Sequence, residues 1–137
     1  MTECTGDIYP ALSYNDAAAA IAWLSNAFGF RELLAVPGPD GTIRHAEMAF
    51  GNGIIMLGSA REELGQRSPR DLPAVSHSVC VYVADPDAHY ARAKAAGAEI
   101  TREIADTDHG SRGYGVRDCE GHQWYFETYR PAMPADH

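Results

Sequence analysis

The sequence predicts an α+β domain made of two β-α-β-β-β units, whose mixed sheets curve into a cup with the helices outside. Three observations predict it. Hydrophobic periodicity alternates between strand-like and helix-like in the same order twice along the chain. Gly29 and Gly97, each placed to stop a helix, lie 68 residues apart. Gly53 and Gly121, each placed to turn the last hairpin of a unit, share that offset of 68. Two unrelated landmarks with one spacing mark an internal duplication.

The first unit covers residues 8–59. "IYPALSY" (8–14) reads as a short strand ended by Asn15 and Asp16. Ala17, Ile21, Leu24 and Phe28 then fall on one helical stripe, with Asn15 or Asp16 as cap and Gly29 as stop. Strands follow over 30–36, 42–50 and 54–59, separated by the turn sequences "PGPDG" and "GNG". Residues 60–75, "AREELGQRSPRDLPAV", are polar and unpatterned and read as a linker.

The second unit covers 76–130. "SHSVCVYVA" alternates, with Val79, Val81 and Val83 on one face and Ser78, Cys80 and Tyr82 on the other. Asp85 followed by Pro86 starts a helix that Gly97 stops. Strands are predicted over 98–104, 113–118 and 122–129, so residues 1–137 form a single domain.

The formal charge of −8, with no cluster of Lys and Arg, argues against nucleic acid as a partner and suits a cationic small molecule. No apolar run approaches the roughly 18 residues of a membrane span, and "MTECTGDIYP" has neither part of a signal peptide. The expected compartment is the cytoplasm. Cys4, Cys80 and Cys119 form no C-x-x-C pair and are expected to be reduced and structural. Cys119 adjoins an acidic residue, which raises a thiol pKa and disfavours nucleophilic use. No phosphate loop, nucleophile elbow or dinucleotide fingerprint is present.

Several polar residues invite chemistry. His122 and Glu127 are five apart, so on one strand they point to opposite faces and form no shared ion site. Glu127 instead joins Tyr125 on a pocket wall, while His122 joins Trp124 and Phe126 on the core side. His45 and Glu47 are two apart and share a face, the arrangement of an acid–base pair. Asp85 and His89 are spaced for a solvated helical contact. The glycine-rich "DTDHGSRGYG" (106–115) lacks calcium-loop spacing and reads as a mobile lip on which Arg112 and Tyr114 close over a ligand, or as an ordinary hairpin connection.

The duplication, the "RDCEGHQW" hairpin and the "DAHYARAKAAGAEI" helix-to-strand passage resemble the vicinal oxygen chelate superfamily, over about residues 8–130. That group holds glyoxalase I, extradiol dioxygenases and bleomycin-resistance-type proteins. "HAEMAFGNGIIMLGSA" and "GHQWYFETYRP" are most similar to its small glyoxalase/bleomycin-resistance-like members. The family's metal enzymes carry a His on the first strand, Glu or Gln on the fourth, His on the fifth and Glu on the eighth. Those positions fall here on Tyr9, Met56, Ser78 and Tyr125, none a ligand of the needed kind. Among their neighbours only His77 could bind metal, and alternation turns it to the opposite face.

The resemblance therefore implies a metal-free cavity without cofactor, in a homodimer that sequesters a bulky aromatic or cationic natural product. Its expected lining is Tyr9, His45, Glu47, Met56, Ser78, Cys80, Tyr82, Arg112, Tyr114 and Tyr125. A metal-independent lyase or isomerase using His45 and Glu47 is the alternative, and a metal-dependent glyoxalase or dioxygenase the third.

Overall fold

Local chemistry sets the helix ends where the sequence places them. The Asp16 side chain accepts a hydrogen bond from the Ala19 amide and opens helix α1 (Ala17–Phe28), which Gly29 closes in a left-handed conformation at φ 83°. Asp85 does the same for the Ala88 amide and opens α2 (Pro86–Ala95), with Pro86 in the first turn. The computed structural model describes residues 6–135, so Cys4 lies outside the described residues.

Around the helices run β1 (Ala11–Tyr14), β2 (Arg31–Pro37), β3 (Ile43–Phe50) and β4 (Gly53–Ser59), then β5 (Val79–Tyr82), β6 (Glu99–Asp106), β7 (Arg112–Arg117) and β8 (Gln123–Glu127). Each half forms a four-stranded mixed sheet, in the orders β1-β4-β3-β2 and β5-β8-β7-β6. Its first strand runs parallel to its last, and the remaining pairs are antiparallel. The strand pairs Ala46 with Leu57 and Tyr114 with Phe126 occupy matching places in the two halves.

This match refines the repeat. β3 and β7 correspond at an offset of 68, whereas the capping residues Asp16 and Asp85, and the core pair Leu57 and Phe126, correspond at 69. The β7–β8 loop is longer than the two-residue β3–β4 turn, because Phe50 pairs with Gly53 while Arg117 pairs with Gln123. Met56 therefore answers to Tyr125 and not to Trp124.

The two halves share one core. Leu12, Tyr14, Ile55 and Leu57 of the first sheet, Phe28 of α1, and Val116, Trp124 and Phe126 of the second sheet are all buried. Phe28 packs edge-on to Phe126 at 4.8 Å and to Trp124 at 5.5 Å between ring centroids. Helix α1 thus serves both sheets. By strand alternation, Met56 and Tyr125 point away from this common core, one on each sheet. Each sheet keeps an open face opposite the helices, and within one chain the two faces do not close over each other.

Residues 60–75 are better ordered than their composition suggests. They contain two short 3-10 turns, Glu62–Leu64 and Pro69–Asp71, and Ser68 is fully buried, with its hydroxyl donating to Glu120.

Candidate functional site: two open sheet faces

The first open face is built on β1, β4 and β3. Ala11 pairs with Met56, which pairs in turn with Glu47, and His45 lies two residues along on the same side. The core partners Ala46 and Met48 are fully buried, which leaves His45 and Glu47 half-exposed. Their side chains meet at 2.8 Å between His45 Nε2 and Glu47 Oε2. A cavity of about 270 Å³ lies on this face, with Ser13, Arg44, His45, Met56 and Gln66 among its walls. Tyr9, two residues before β1, is more than a third exposed and its hydroxyl donates to the Gly6 carbonyl.

The second open face is aromatic. Cys80 pairs with Tyr125, and Tyr125 with Gly115 across β8 and β7. A Cβ added at Gly115 would come within 2.9 Å of the Tyr125 ring, so the missing side chain is what lets that ring lie flat on its own sheet. Arg102 covers the ring, its guanidinium 5.2 Å from the centroid, and reaches Glu127 at 3.6 Å. At the edge of the sheet Arg130 stacks on Tyr82 at 3.8 Å. Ser78 and Cys80 are exposed beside them.

The sequence-predicted residues thus divide into two groups. His45, Glu47 and Met56 share the first face, with Tyr9 two residues before its strand β1, and Cys80, Tyr82 and Tyr125 share the second, with Ser78 one residue before β5. Arg112 and Tyr114 join neither as a lip. Arg112 is engaged by Asp87 at 2.9 Å and Asp106 at 3.2 Å, and these carboxylates raise its already high pKa. Tyr114 is fully buried in β7, where desolvation raises its phenol pKa and its hydroxyl meets His89 Nδ1 at 2.6 Å. The glycines around Tyr114 serve close strand packing: a Cβ at Gly113 would lie 2.4 Å from that of Glu127.

His89 is likewise no solvated partner of Asp85. Its Nε2 donates to the Phe28 carbonyl at 2.8 Å and its Nδ1 meets the Tyr114 hydroxyl, and because burial disfavours the charged form, the ring is neutral with Nδ1 accepting. Burial lowers its pKa, outweighing the carbonyl contact. The imidazole is a joint between the halves.

Sequence reasoning also missed the acidic lock at the β7–β8 loop. Asp118 Oδ1 accepts from the amides of Glu120, Gly121 and His122 at 3.0–3.1 Å. Its Oδ2 accepts from Tyr14 Oη at 2.6 Å and Trp124 Nε1 at 3.0 Å. Glu120 accepts from the amides of Asn15 at 2.7 Å and Asp16 at 2.8 Å. Burial alone would raise the Glu120 pKa, but the Ser68 hydroxyl and these two amides bring it below the usual carboxylate value. Between the two acids, burial and then their charges push the Cys119 thiol up to about 12. The legible signal was two acids flanking a buried-type cysteine in a tight loop.

Residues 8–126 match the model of the Glyoxalase/Bleomycin resistance protein/Dioxygenase superfamily. The chain belongs to that superfamily. Among its relatives in the superfamily are the uncharacterized proteins Mb0911c of Mycobacterium bovis and Rv0887c of Mycobacterium tuberculosis. Each is 36% identical over 118 residues, or 84% of this chain, spanning 78% of the former and 69% of the latter. The crystal structure of TioX from Micromonospora sp. ML1 superposes with a TM-score of 0.70 at 37% identity, covering 90% of this chain and 100% of TioX. The Mn(II)-bound fosfomycin resistance protein FosX of Listeria monocytogenes has a TM-score of 0.69 at 16% identity, covering 92% and 91% of the two chains, and shares the fold alone.

Metal chemistry in this superfamily needs converging imidazole and carboxylate donors. Tyr9, Met56, Ser78 and Tyr125 carry neither an imidazole nor a carboxylate. These residues do not fit the metal. Among the described residues no helix is long and apolar enough to cross a membrane.

Proposed function

We propose that this protein is a metal-free member of its superfamily that binds and sequesters a bulky aromatic or cationic small molecule on its open sheet faces. The observation that carries this reading is the Tyr125 shelf: a ring laid flat over Gly115, clamped by Arg102 and flanked by Tyr82. Such a surface offers rigid apolar area that costs little entropy to order. Met56 supplies an adaptable contact on the other face.

Open faces turned away from a common core need a second surface to become a cleft. In this reading the protein is a homodimer in which the His45–Glu47 face of one copy covers the Tyr125 face of the other, and the converse, by a two-fold axis. A dimer with two equivalent clefts also covers strand edges that a single chain leaves open.

One observation favours a second reading. The His45–Glu47 contact of 2.8 Å orients an imidazole as an acid–base group would need, which supports a metal-independent lyase or isomerase. One measurement tests the shared cleft and a second separates the two readings. Light scattering is expected to show a dimer; a species of about 15 kDa at all concentrations opposes the shared cleft. A bound aromatic ligand, released by denaturation after long incubation, is expected with unchanged mass and isomer composition. A product that vanishes in Glu47→Gln supports catalysis instead.

A further inference from the structure

The two junctions between the halves are related by the repeat, yet among the described residues one is filled and the other is open. At the filled one, the β7–β8 loop reaches the start of α1, where the Glu120 carboxylate sits on the Asn15 and Asp16 amides. Counting along β3 and β7, Asn52 stands where Glu120 stands. It is not an acid, and neither is Gly51, the other residue of that turn. Where the β3–β4 turn faces the start of α2 there is a cavity of about 630 Å³, within the ~300–1,000 Å³ of small-molecule sites.

The cavity has an apolar floor of Phe28, Phe50 and Val81, a wall formed by the His89 ring, and a polar rim. The rim includes Ala84 and Asp85, the counterparts of Asn15 and Asp16; no described residue supplies their amides with a carboxylate. Two arginines border it. Arg92 donates only to the neutral carbonyls of Ser25 and Asn26, and Arg130 lies on the Tyr82 ring with no carboxylate partner among the described residues. One acid lines the cavity, Asp85, which is engaged as the cap of α2. Its counterpart Asp16 stands beside Glu120 in the filled junction, so a capping aspartate there tolerates a neighbouring carboxylate.

We infer that the open junction is a second ligand site, distinct from the Tyr125 shelf and bordering that face at Tyr82. It takes a small amphipathic carboxylate, with the anion on the Ala84 and Asp85 amides beside Arg130 and the aromatic or aliphatic body on Phe28, Phe50 and Val81. The ligand does in this half what Glu120 does in the other. Because His89 spends both nitrogens on Phe28 and Tyr114, it contributes a flat apolar surface and no charge.

The test is a titration of the full chain with 3-phenylpropionate and with its neutral amide, 3-phenylpropanamide, followed by backbone amide shifts. The acid is expected to bind about 10-fold more tightly than the amide, as charge-assisted contacts require. The largest shifts should fall at Ala84, Asp85 and His89. Arg130→Ala, an exposed change that leaves the core intact, should weaken the acid about 10-fold and leave the amide unchanged. Asn52→Glu should supply the missing carboxylate, abolish binding of the acid and raise the melting temperature. Equal affinity for acid and amide, an Arg130→Ala variant that binds the acid as the wild type does, shifts centred on Met56 or Tyr125, or no saturation by about 10 mM would each overturn the inference. Shifts centred on Met56 or Tyr125 would place the acid on a sheet face and so support sequestration there, while the other results leave that reading untouched.

Discussion

The two open faces are products of one repeat, and they are chemically unlike. The first carries a hydrogen-bonded His45–Glu47 pair beside Met56; the second carries Tyr125 laid flat under Arg102, next to Cys80 and Tyr82. A face of the first kind anchors or transforms a polar group, while one of the second kind holds a flat one. Duplication supplied two equivalent scaffolds, and side-chain substitution made one wall polar and the other aromatic. The binding and catalytic readings of this protein are claims about which wall dominates.

Both faces depend on the lock that joins the halves, so the largest effect should come from breaking it. Asp118→Ala removes the acceptor of five hydrogen bonds from buried or half-buried donors, Tyr14 and Trp124 among them. It should cost about 3–5 kcal/mol of stability, since buried donors left unpaired carry their full desolvation penalty. Urea unfolding should show a lowered midpoint with an unchanged slope.

The pH dependence of the same lock sharpens the point. Glu120 has its pKa lowered on folding, so its contribution is fully present above the unfolded value and is lost as pH falls through the folded one. Glu120→Gln should therefore destabilise the protein near neutrality by about 1–2 kcal/mol, with the gap to wild type closing in acid. His89 acts with the same sign at a higher pH. Its pKa is lowered on folding, so stability is lost as pH falls below the usual imidazole range, and His89→Gln should flatten that part of the curve measured by thermal unfolding.

On the aromatic wall, Tyr125→Ala should cost about 1–3 kcal/mol of ligand affinity while folding is retained, because the ring is half-exposed and lies outside the shared core. Titration calorimetry checks this. On the polar wall, His45→Ala should cost only about 0.5–1.5 kcal/mol, the value of one hydrogen bond. The reverse ranking would make the polar wall the dominant one.

Much of this was legible in the sequence. The stripe Ala17, Ile21, Leu24 and Phe28 is buried as its spacing requires, and Val79, Val81 and Val83 alternate with the exposed Cys80 and Tyr82. The choice of Tyr9, Met56, Ser78 and Tyr125 follows the structural offset of 69, although the glycine landmarks share 68. The rest depends on partners 61 to 105 residues away, which periodicity does not encode. Asp118 meets Tyr14, Glu120 meets Asn15, and His89 meets Phe28 only after the halves dock. Tyr114 looked like part of a lip because glycines surround it, but those glycines make room for the Tyr125 ring and the β8 backbone. Periodicity likewise gives the face of each strand and not the direction in which one sheet looks at the other.

The central claim, that a ligand is held between a polar and an aromatic wall without metal or turnover, is tested most directly by native mass spectrometry of protein isolated from its own cells. The account predicts a dimer carrying a non-covalent small-molecule adduct that is released chemically unchanged on denaturation and is lost in Tyr125→Ala. A stoichiometric divalent metal, or a released molecule that the wild type alters and Glu47→Gln does not, would contradict it.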